Sequence, residues 1–150
     1  MECFRIDWKG FFSTDAIQDQ PEAREKGIYV VYETDWGDPQ QVRYIGQSQT
    51  VRERLKGHLR EWSHILSEQK LKELRVCFGI IHPLAGSDLP KILQIESFFI
   101  NFVKPTGNGK STMKGYKGSP ILIINTGKIG LFKKTMTSHP ELLALLKENL

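Results

Sequence analysis

Glu96 is the residue whose sequence surroundings are hardest to explain by packing alone. Ile92 lies one helical turn before it and Ile100 one turn after it, so the carboxylate falls within an apolar stripe of a predicted helix. A charged group at such a position is costly unless it is paired with a cation or binds a metal ion. The pattern therefore indicates either a buried salt bridge or a metal ligand, and it does not choose between them.

Arg54 and His58 are four residues apart, which places both side chains on one face of a predicted helix. A guanidinium can hold a phosphate with a pair of hydrogen bonds, and an imidazole can relay a proton near neutral pH. The pair is thus suited to phosphate chemistry. Taken by itself, it is better explained by two solvated surface residues.

Two tyrosines occur in related tripeptides: Tyr29 ends the sequence GIY, and Tyr44 begins the sequence YIG. Each tyrosine alone is an ordinary strand residue. Gly46, at the end of YIG, would let a ligand or another backbone come close. Asn108 lies between two glycines after the end of a predicted helix, where it is by itself an ordinary loop or cap residue.

The elements that must position these residues are short strands and amphipathic helices. Residues 27–33 and 42–46 are predicted to form an antiparallel hairpin, because the connection between them is too short for a crossover helix. Further elements are a strand at 74–81, a strand or apolar loop core at 121–124, and helices at 11–18, at 51–66, from Ser87 or Asp88 to about Val103, and from Ser138 onward. The expected fold class is a small α/β domain with a mainly antiparallel three-stranded sheet flanked by helices.

The whole chain has the composition of an ordinary globular domain, with 150 residues, 39% of them hydrophobic and 25% charged. The chain contains no run of about 18 apolar residues, so no membrane span is predicted. Residues 1–10 lack the apolar core of a secretory signal. Cys3 and Cys77 have no matching histidine pattern, so we expect reduced thiols rather than a zinc site. A single-domain cytoplasmic protein is the expectation.

Charge is distributed unevenly along the chain, whose net charge is +4. Residues 97–140 contain seven lysines and neither aspartate nor glutamate. Such a stretch can attract phosphates, and it can also be no more than a solvated basic surface.

Taken together and in order, the singled-out residues resemble the signature of the GIY-YIG nuclease family. Both name-giving tripeptides are unaltered, Arg54 follows Tyr44 by ten residues, and His58 comes one helical turn later. This arrangement is similar to the helical Arg-and-His motif of that family.

The remaining signature positions of the GIY-YIG family are also filled. Glu96 corresponds to the family's metal-binding glutamate, and Pro105 and Asn108 correspond to its Pro-and-Asn signature. In the family, this asparagine would hold the site together by hydrogen bonds. Ser48 occupies the small hydroxyl position two residues past YIG, and the resemblance covers about residues 27–108.

The resemblance implies hydrolysis of phosphodiester bonds with one Mg²⁺ or Mn²⁺ ion per active site, bound by Glu96. Arg54 would stabilise negative charge on the phosphate. Tyr29 would be the base or the water-orienting phenol, assisted by His58, and Tyr44 would bond the phosphate or the attacking water. The roles of the two tyrosines are interchangeable at this level.

The implied protein is an endonuclease acting on double-stranded or branched DNA, of a restriction-type, mobile-element or structure-directed kind, and a homodimer is possible. The segments 1–26 and 109–150 are expected to pack on the core as extensions. Expected contacts with nucleic acid are Ser48, Arg52, Lys110, Lys114 and Lys117. Two alternatives stay open, a catalytically inactive nucleic-acid-binding module and a protein-interaction or structural domain.

Overall fold

The computed structural model describes residues 1–24, 26–84, 92–108, 116 and 118–148. The strands found there are β1 (Glu2–Ser13), β2 (Gly27–Asp35), β3 (Asp38–Gln47), β4 (Leu74–Pro83), β5 (Ile121–Gly127) and β6 (Thr135–Thr137). The helices found there are α1 (Val51–Trp62), α2 (Glu68–Lys72), α3 (Ile92–Val103) and α4 (Pro140–Glu148).

The six strands of the described residues form one mixed sheet, curled into a half-barrel, in the order β3-β2-β4-β1-β5-β6. β1 is antiparallel to β4 on one side and parallel to β5 on the other. The expected three-stranded, mainly antiparallel sheet is therefore wrong. Its three strands exist as β2, β3 and β4, but the sheet continues through β1, β5 and β6.

The sheet is larger than expected because the N-terminal segment has a strand pattern. Phe4, Ile6 and Trp8 are buried on one face, whereas Arg5 and Lys9 are exposed on the other. This period of two is that of a half-buried strand. The segments expected to pack on a core as extensions thus supply strands to the sheet itself.

Several element boundaries also differ from expectation. The expected helix at 11–18 begins later than predicted, because β1 runs to Ser13, and the helix that follows is a 3-10 helix spanning Thr14–Asp19. α1 ends four residues before the expected position 66. The two residues expected to begin α3 lie outside the described part of the chain, and the apolar segment at 121–124 is a strand.

Each face of the sheet carries a hydrophobic cluster covered by a helix. Because β2 alternates, its even-numbered residues face α3 and its odd-numbered residues face α1. The cluster with α3 includes Ile28, Val30, Tyr32, Trp8, Ile95, Phe98, Phe99 and Phe132. The cluster with α1 includes Tyr29, Val31, Tyr44, Val51, Leu55, Trp62 and Phe78. Tyr29 and Tyr44 therefore lie under α1.

Among the described residues, no helix is both long enough and apolar enough to cross a membrane.

Candidate active site

The two tyrosines are brought together by the pairing of β2 with β3. Tyr29 lies directly opposite Gly46 in this ladder, and its ring centroid is 5.8 Å from that of Tyr44. A Cβ at Gly46 would lie 2.7 Å from Tyr29 Cε1 and 2.9 Å from Tyr29 Oη. Gly46 is therefore required because the ring of Tyr29 crosses over its backbone.

The hydroxyl of Tyr29 is enclosed. The residue has no exposed surface, and burial raises the pKa of the phenol, with Tyr44 and Glu96 raising it further and Arg54 lowering it. An interaction with the side chain of Tyr44 contributes to this raised pKa. Within the described residues, however, Tyr29 Oη has no hydrogen-bond partner of good geometry. The phenol is consequently neutral near pH 7.

Helix α1 places His58 against Tyr44. The helix is anchored in the α1-side cluster through the buried Leu55 and Trp62. The His58 ring centroid is 4.2 Å from that of Tyr44, and the His58 ring stacks on Trp62 at 5.3 Å with an interplanar angle of 12°. The imidazole is thereby held between two aromatic rings, which fixes its orientation.

The electrostatic surroundings of His58 favour the neutral imidazole. Burial lowers its pKa, Arg54 lowers it further, and Glu61, whose carboxylate is 3.8 Å from His58 Nδ1, acts in the opposite direction. His58 Nε2 is buried and has no hydrogen-bond partner among the described residues. A neutral imidazole with a free nitrogen can accept a proton or a hydrogen bond.

Glu96 approaches the site from α3. Burial raises the pKa of its carboxyl group, while a hydrogen bond from Gln47 and the charge of Arg54 lower it. Its Oε2 atom is buried without a hydrogen-bond partner in the described structure. Gln47 ends β3 and pairs with Ile28 of β2, so Glu96 lies at the same end of the hairpin as the two tyrosines.

The environment of Glu96 fits a hard divalent cation. An unpaired carboxylate oxygen held away from water is a suitable ligand for Mg²⁺, which keeps most of its own waters and needs few protein ligands. In the described residues, no three His, Cys, Asp or Glu side chains cluster to hold a metal. Glu96 is thus a single-carboxylate candidate rather than part of a closed cage.

Arg54 is exposed on α1, and its charge reaches the other candidate residues. It lowers the pKa of Tyr29, of His58 and of Glu96. One guanidinium that faces solvent and acts on three enclosed groups is well placed to meet an anionic ligand above them.

Asn108 holds the loop after α3 onto the edge strand β3. The backbone N–H of Ile45 donates to Asn108 Oδ1 at 3.0 Å, and Asn108 Nδ2 donates to the carbonyl of Ile45 at 2.8 Å. The amide therefore imitates a neighbouring strand beside the middle residue of YIG. Its role is to fix the backbone of the site.

Arg43 is a residue that the sequence did not single out. It is 8% exposed and lies over the Trp62 ring at 5.4 Å, donates to Thr106 Oγ1 at 3.2 Å, and has Glu33 at 4.0 Å. It thus ties α1 and the loop of Asn108 to β3. The sequence places this arginine between two apolar strand residues, which could have drawn attention to it. Strand alternation alone, however, predicts that its side chain faces solvent.

Of the five residues expected to contact nucleic acid, the structure describes two. Ser48 is 2% exposed in a 3-10 turn after β3. Arg52 is directed to the N-terminal segment, where it donates to the carbonyl of Gln18. The other three expected residues, Lys110, Lys114 and Lys117, lie outside the described residues.

Comparison of the chain with protein-family models, with curated proteins and with solved structures finds no match. Residue types and the geometry of the site are therefore the basis on which a function can be assigned.

Proposed function

We propose that this chain is a divalent-metal-dependent endonuclease that hydrolyses phosphodiester bonds in DNA. The observation that carries the proposal is a set of three enclosed polar atoms that have no hydrogen-bond partner among the described residues. They are Tyr29 Oη, His58 Nε2 and Glu96 Oε2, and the exposed Arg54 influences the pKa of all three groups. Leaving such a group unpaired costs about 1–3 kcal/mol. Unsatisfied groups gathered beneath one cation are typical of a site awaiting a ligand.

The division of roles follows from the surroundings of each group. Arg54 binds the phosphate and stabilises the charge that develops on it during attack by water. His58, neutral and held against Tyr44, accepts the proton released by the attacking water, directly or through the Tyr44 hydroxyl. Tyr29 is enclosed and neutral, so it serves as a hydrogen-bond donor rather than as a base.

Glu96 is the residue that would hold the metal ion, Mg²⁺ or Mn²⁺. When bound, the ion supplies Lewis-acid polarisation of the phosphate and a template for water. A hydrogen bond from Gln47 favours the charged form of this carboxyl group. Asn108 and Arg43 hold the backbone around these groups.

Two further features support a nucleic-acid substrate. The chain carries a net charge of +4, and α1 carries four Arg/Lys residues against two Glu, with Arg54, Lys56 and Arg60 exposed. A polyanion is attracted to such a helix. The resemblance of the signature residues to those of GIY-YIG nucleases favours DNA as the polyanion.

The test is cleavage of supercoiled, linear and branched DNA by purified protein in Mg²⁺ or Mn²⁺. We expect cleavage by the wild type and its loss in Glu96→Gln and Arg54→Met. The matched controls are Glu53→Gln and Lys56→Met, which remove the same charges from exposed positions of α1 and should retain activity. Absence of cleavage by the wild type on every substrate, or equal cleavage by Glu96→Gln, would contradict the proposal.

A second candidate is a nucleic-acid-binding module of this fold without catalysis. It is favoured by one observation, the complete burial of Tyr29 with a raised pKa, since a buried neutral phenol is a poor base. Salt-dependent binding of labelled duplex DNA that is the same for the wild type and Glu96→Gln, with no cleavage by either, would identify this case.

A further inference from the structure

The tip of the β2–β3 hairpin exposes a tryptophan. Trp36 is 93% exposed, and with Gly37 it forms the two-residue loop between the strands, at φ values of 53° and 87°. Two positive φ values define the hairpin turn that favours Asn-Gly. A tryptophan at the first position leaves a large apolar ring in water and adopts a conformation that side chains disfavour. Local stability therefore does not explain this residue.

The tip is also negatively charged. Asp35 and Asp38 are exposed and lie directly opposite each other in the ladder, an arrangement of like charges that destabilises a strand pair. Beside the tip, Asp35, Glu33 and Glu73 line a cavity of about 230 Å³ together with Lys70, and Arg43 offsets the charge of Glu33. An acidic, aromatic tip repels phosphates and suits a basic surface that offers an apolar contact.

The connection between β5 and β6 offers such a basic surface. Lys128, Lys133 and Lys134 are exposed there, and they flank Leu131 in sequence, which is 46% exposed. The buried Asn125 holds this loop in place. Its side-chain amide donates to the carbonyl of Lys133 at 2.7 Å, and its backbone N–H donates to the carbonyl of Lys134 at 2.7 Å. A loop that is already ordered loses little entropy when it binds.

The acidic tip and the basic loop are near each other on one molecule. Tyr32 Oη donates to the carbonyl of Ile129 at 3.4 Å, and Gly130 packs so tightly on the Tyr32 hydroxyl that a Cβ there would lie 2.4 Å away. Trp36 is four residues beyond Tyr32 along the hairpin, a strand distance of about 13 Å. A two-fold axis passing between the two surfaces would therefore pair each tip with the loop of the other copy.

We propose that the chain forms a two-fold symmetric dimer in which Trp36 of each copy packs against Leu131 of the other, and Asp35 and Asp38 pair with Lys133 and Lys134. The partner that binds the hairpin tip is a second copy of the chain, because the loop between β5 and β6 carries both the complementary positive charge and an exposed apolar side chain. The dimer surface is independent of the proposed nuclease activity and lies at the opposite end of the hairpin from the candidate site.

Charge reversal tests the pairing by sedimentation velocity of the whole chain. The variant Asp35→Lys/Asp38→Lys and the variant Lys133→Glu/Lys134→Glu should each be monomeric, because like charges then meet in both contacts. An equimolar mixture should recover the dimer, because one reversed tip meets one reversed loop while the other contact stays native. The first variant replaces one like-charged pair across the turn by another, so the repulsion within the pair is retained.

Removal of the indole tests the apolar contact. Trp36→Asn keeps a residue that tolerates positive φ, and we expect it to weaken dimerisation by 10-fold or more, as loss of a tryptophan anchor does. Trp8 and Trp62 are buried at 2% and 3% exposure, so a blue shift of fluorescence on raising the wild-type concentration reports on Trp36.

Three results would overturn the dimer surface. They are a wild type that stays monomeric from low to high micromolar concentration, a dimer that Trp36→Asn leaves unchanged, or a mixture of the two charge-reversed variants that does not associate. A fluorescence shift caused by duplex DNA instead of by protein concentration would assign the tip to nucleic acid and would equally refute it.

Discussion

The two ends of the β2–β3 hairpin depart from ordinary packing in opposite ways. At the end with Tyr29 and Gly46, polar atoms are enclosed and have no hydrogen-bond partner in the described part of the chain. At the other end, the apolar ring of Trp36 is left in water between two like charges. The ladder between the two ends is antiparallel, with register shifts between Val31 and Tyr32 and between Glu33 and Thr34, and it carries apolar residues on both faces.

We interpret this difference as marking the two places where the hairpin meets something outside itself. Enclosed polar groups are satisfied by a small polar ligand that enters the site, whereas an exposed aromatic ring is satisfied by a large apolar surface. Local stability is lowered at both ends, as expected where function rather than folding determines the residue.

The largest effect is expected from Glu96→Gln at the site end. DNA cleavage should fall on the order of 1,000-fold, because the metal ligand and its charge are lost. The same change should stabilise the fold near neutral pH. Burial raises the pKa of Glu96 above its ordinary 4.5, so the charged form destabilises the native state as the pH rises through that range.

The stability of Glu96→Gln should be measured by urea unfolding at several pH values. Its advantage over the wild type should be present at pH 7 and should disappear below about pH 4, where the carboxyl group is protonated in both folded and unfolded states. A variant that is less stable than the wild type at pH 7 would show that Glu96 is held by a favourable ion pair.

A smaller effect distinguishes the two glycines of the hairpin ends. Gly46→Ala should destabilise the protein by about 2–3 kcal/mol, because the new methyl group would meet the buried ring of Tyr29. Gly37→Ala should cost about 1 kcal/mol, since its surroundings are open and only its positive φ is unfavourable. Equal losses in thermal unfolding would mean that Tyr29 can move aside.

At the tip, Trp36→Asn should stabilise the monomer by about 1 kcal/mol, because asparagine suits the first position of this turn. The free energies of unfolding of the variant and the wild type should be compared at low protein concentration, where the monomer dominates, and at high salt, where charge pairing between copies is screened. A loss of stability would indicate that the indole packs within its own chain.

The smallest effect concerns the pKa of His58. NMR titration should find this pKa below the ordinary 6.5, and Glu61→Gln should lower it further, because the Glu61 carboxylate raises it. Stability should correspondingly fall as the pH drops below 6.5, since the unfolded chain then binds a proton that folded His58 resists. No change on removing Glu61 would contradict the contact.

Local pattern was sufficient for the elements that carry the candidate site. The β-branched and aromatic segments at 27–33, 42–46 and 74–81 are strands, and the 3.6-residue spacing around Leu55 marks a helix, because these signals depend only on neighbours in sequence. The order of the two tyrosines, Arg54, His58 and Glu96 likewise needed no coordinates.

Tertiary structure alone decided the size of the sheet and the partners of several side chains. β1 pairs with β5, more than a hundred residues away, and no local pattern states which strand will be its neighbour. Local pattern likewise does not predict that Arg43 lies over the ring of Trp62, or that Asn108 bonds to the backbone of Ile45. Sequence determined which residues can do chemistry and the local elements they occupy. The choice of partners depends on packing between distant segments, so only the folded chain shows which polar atoms remain without one.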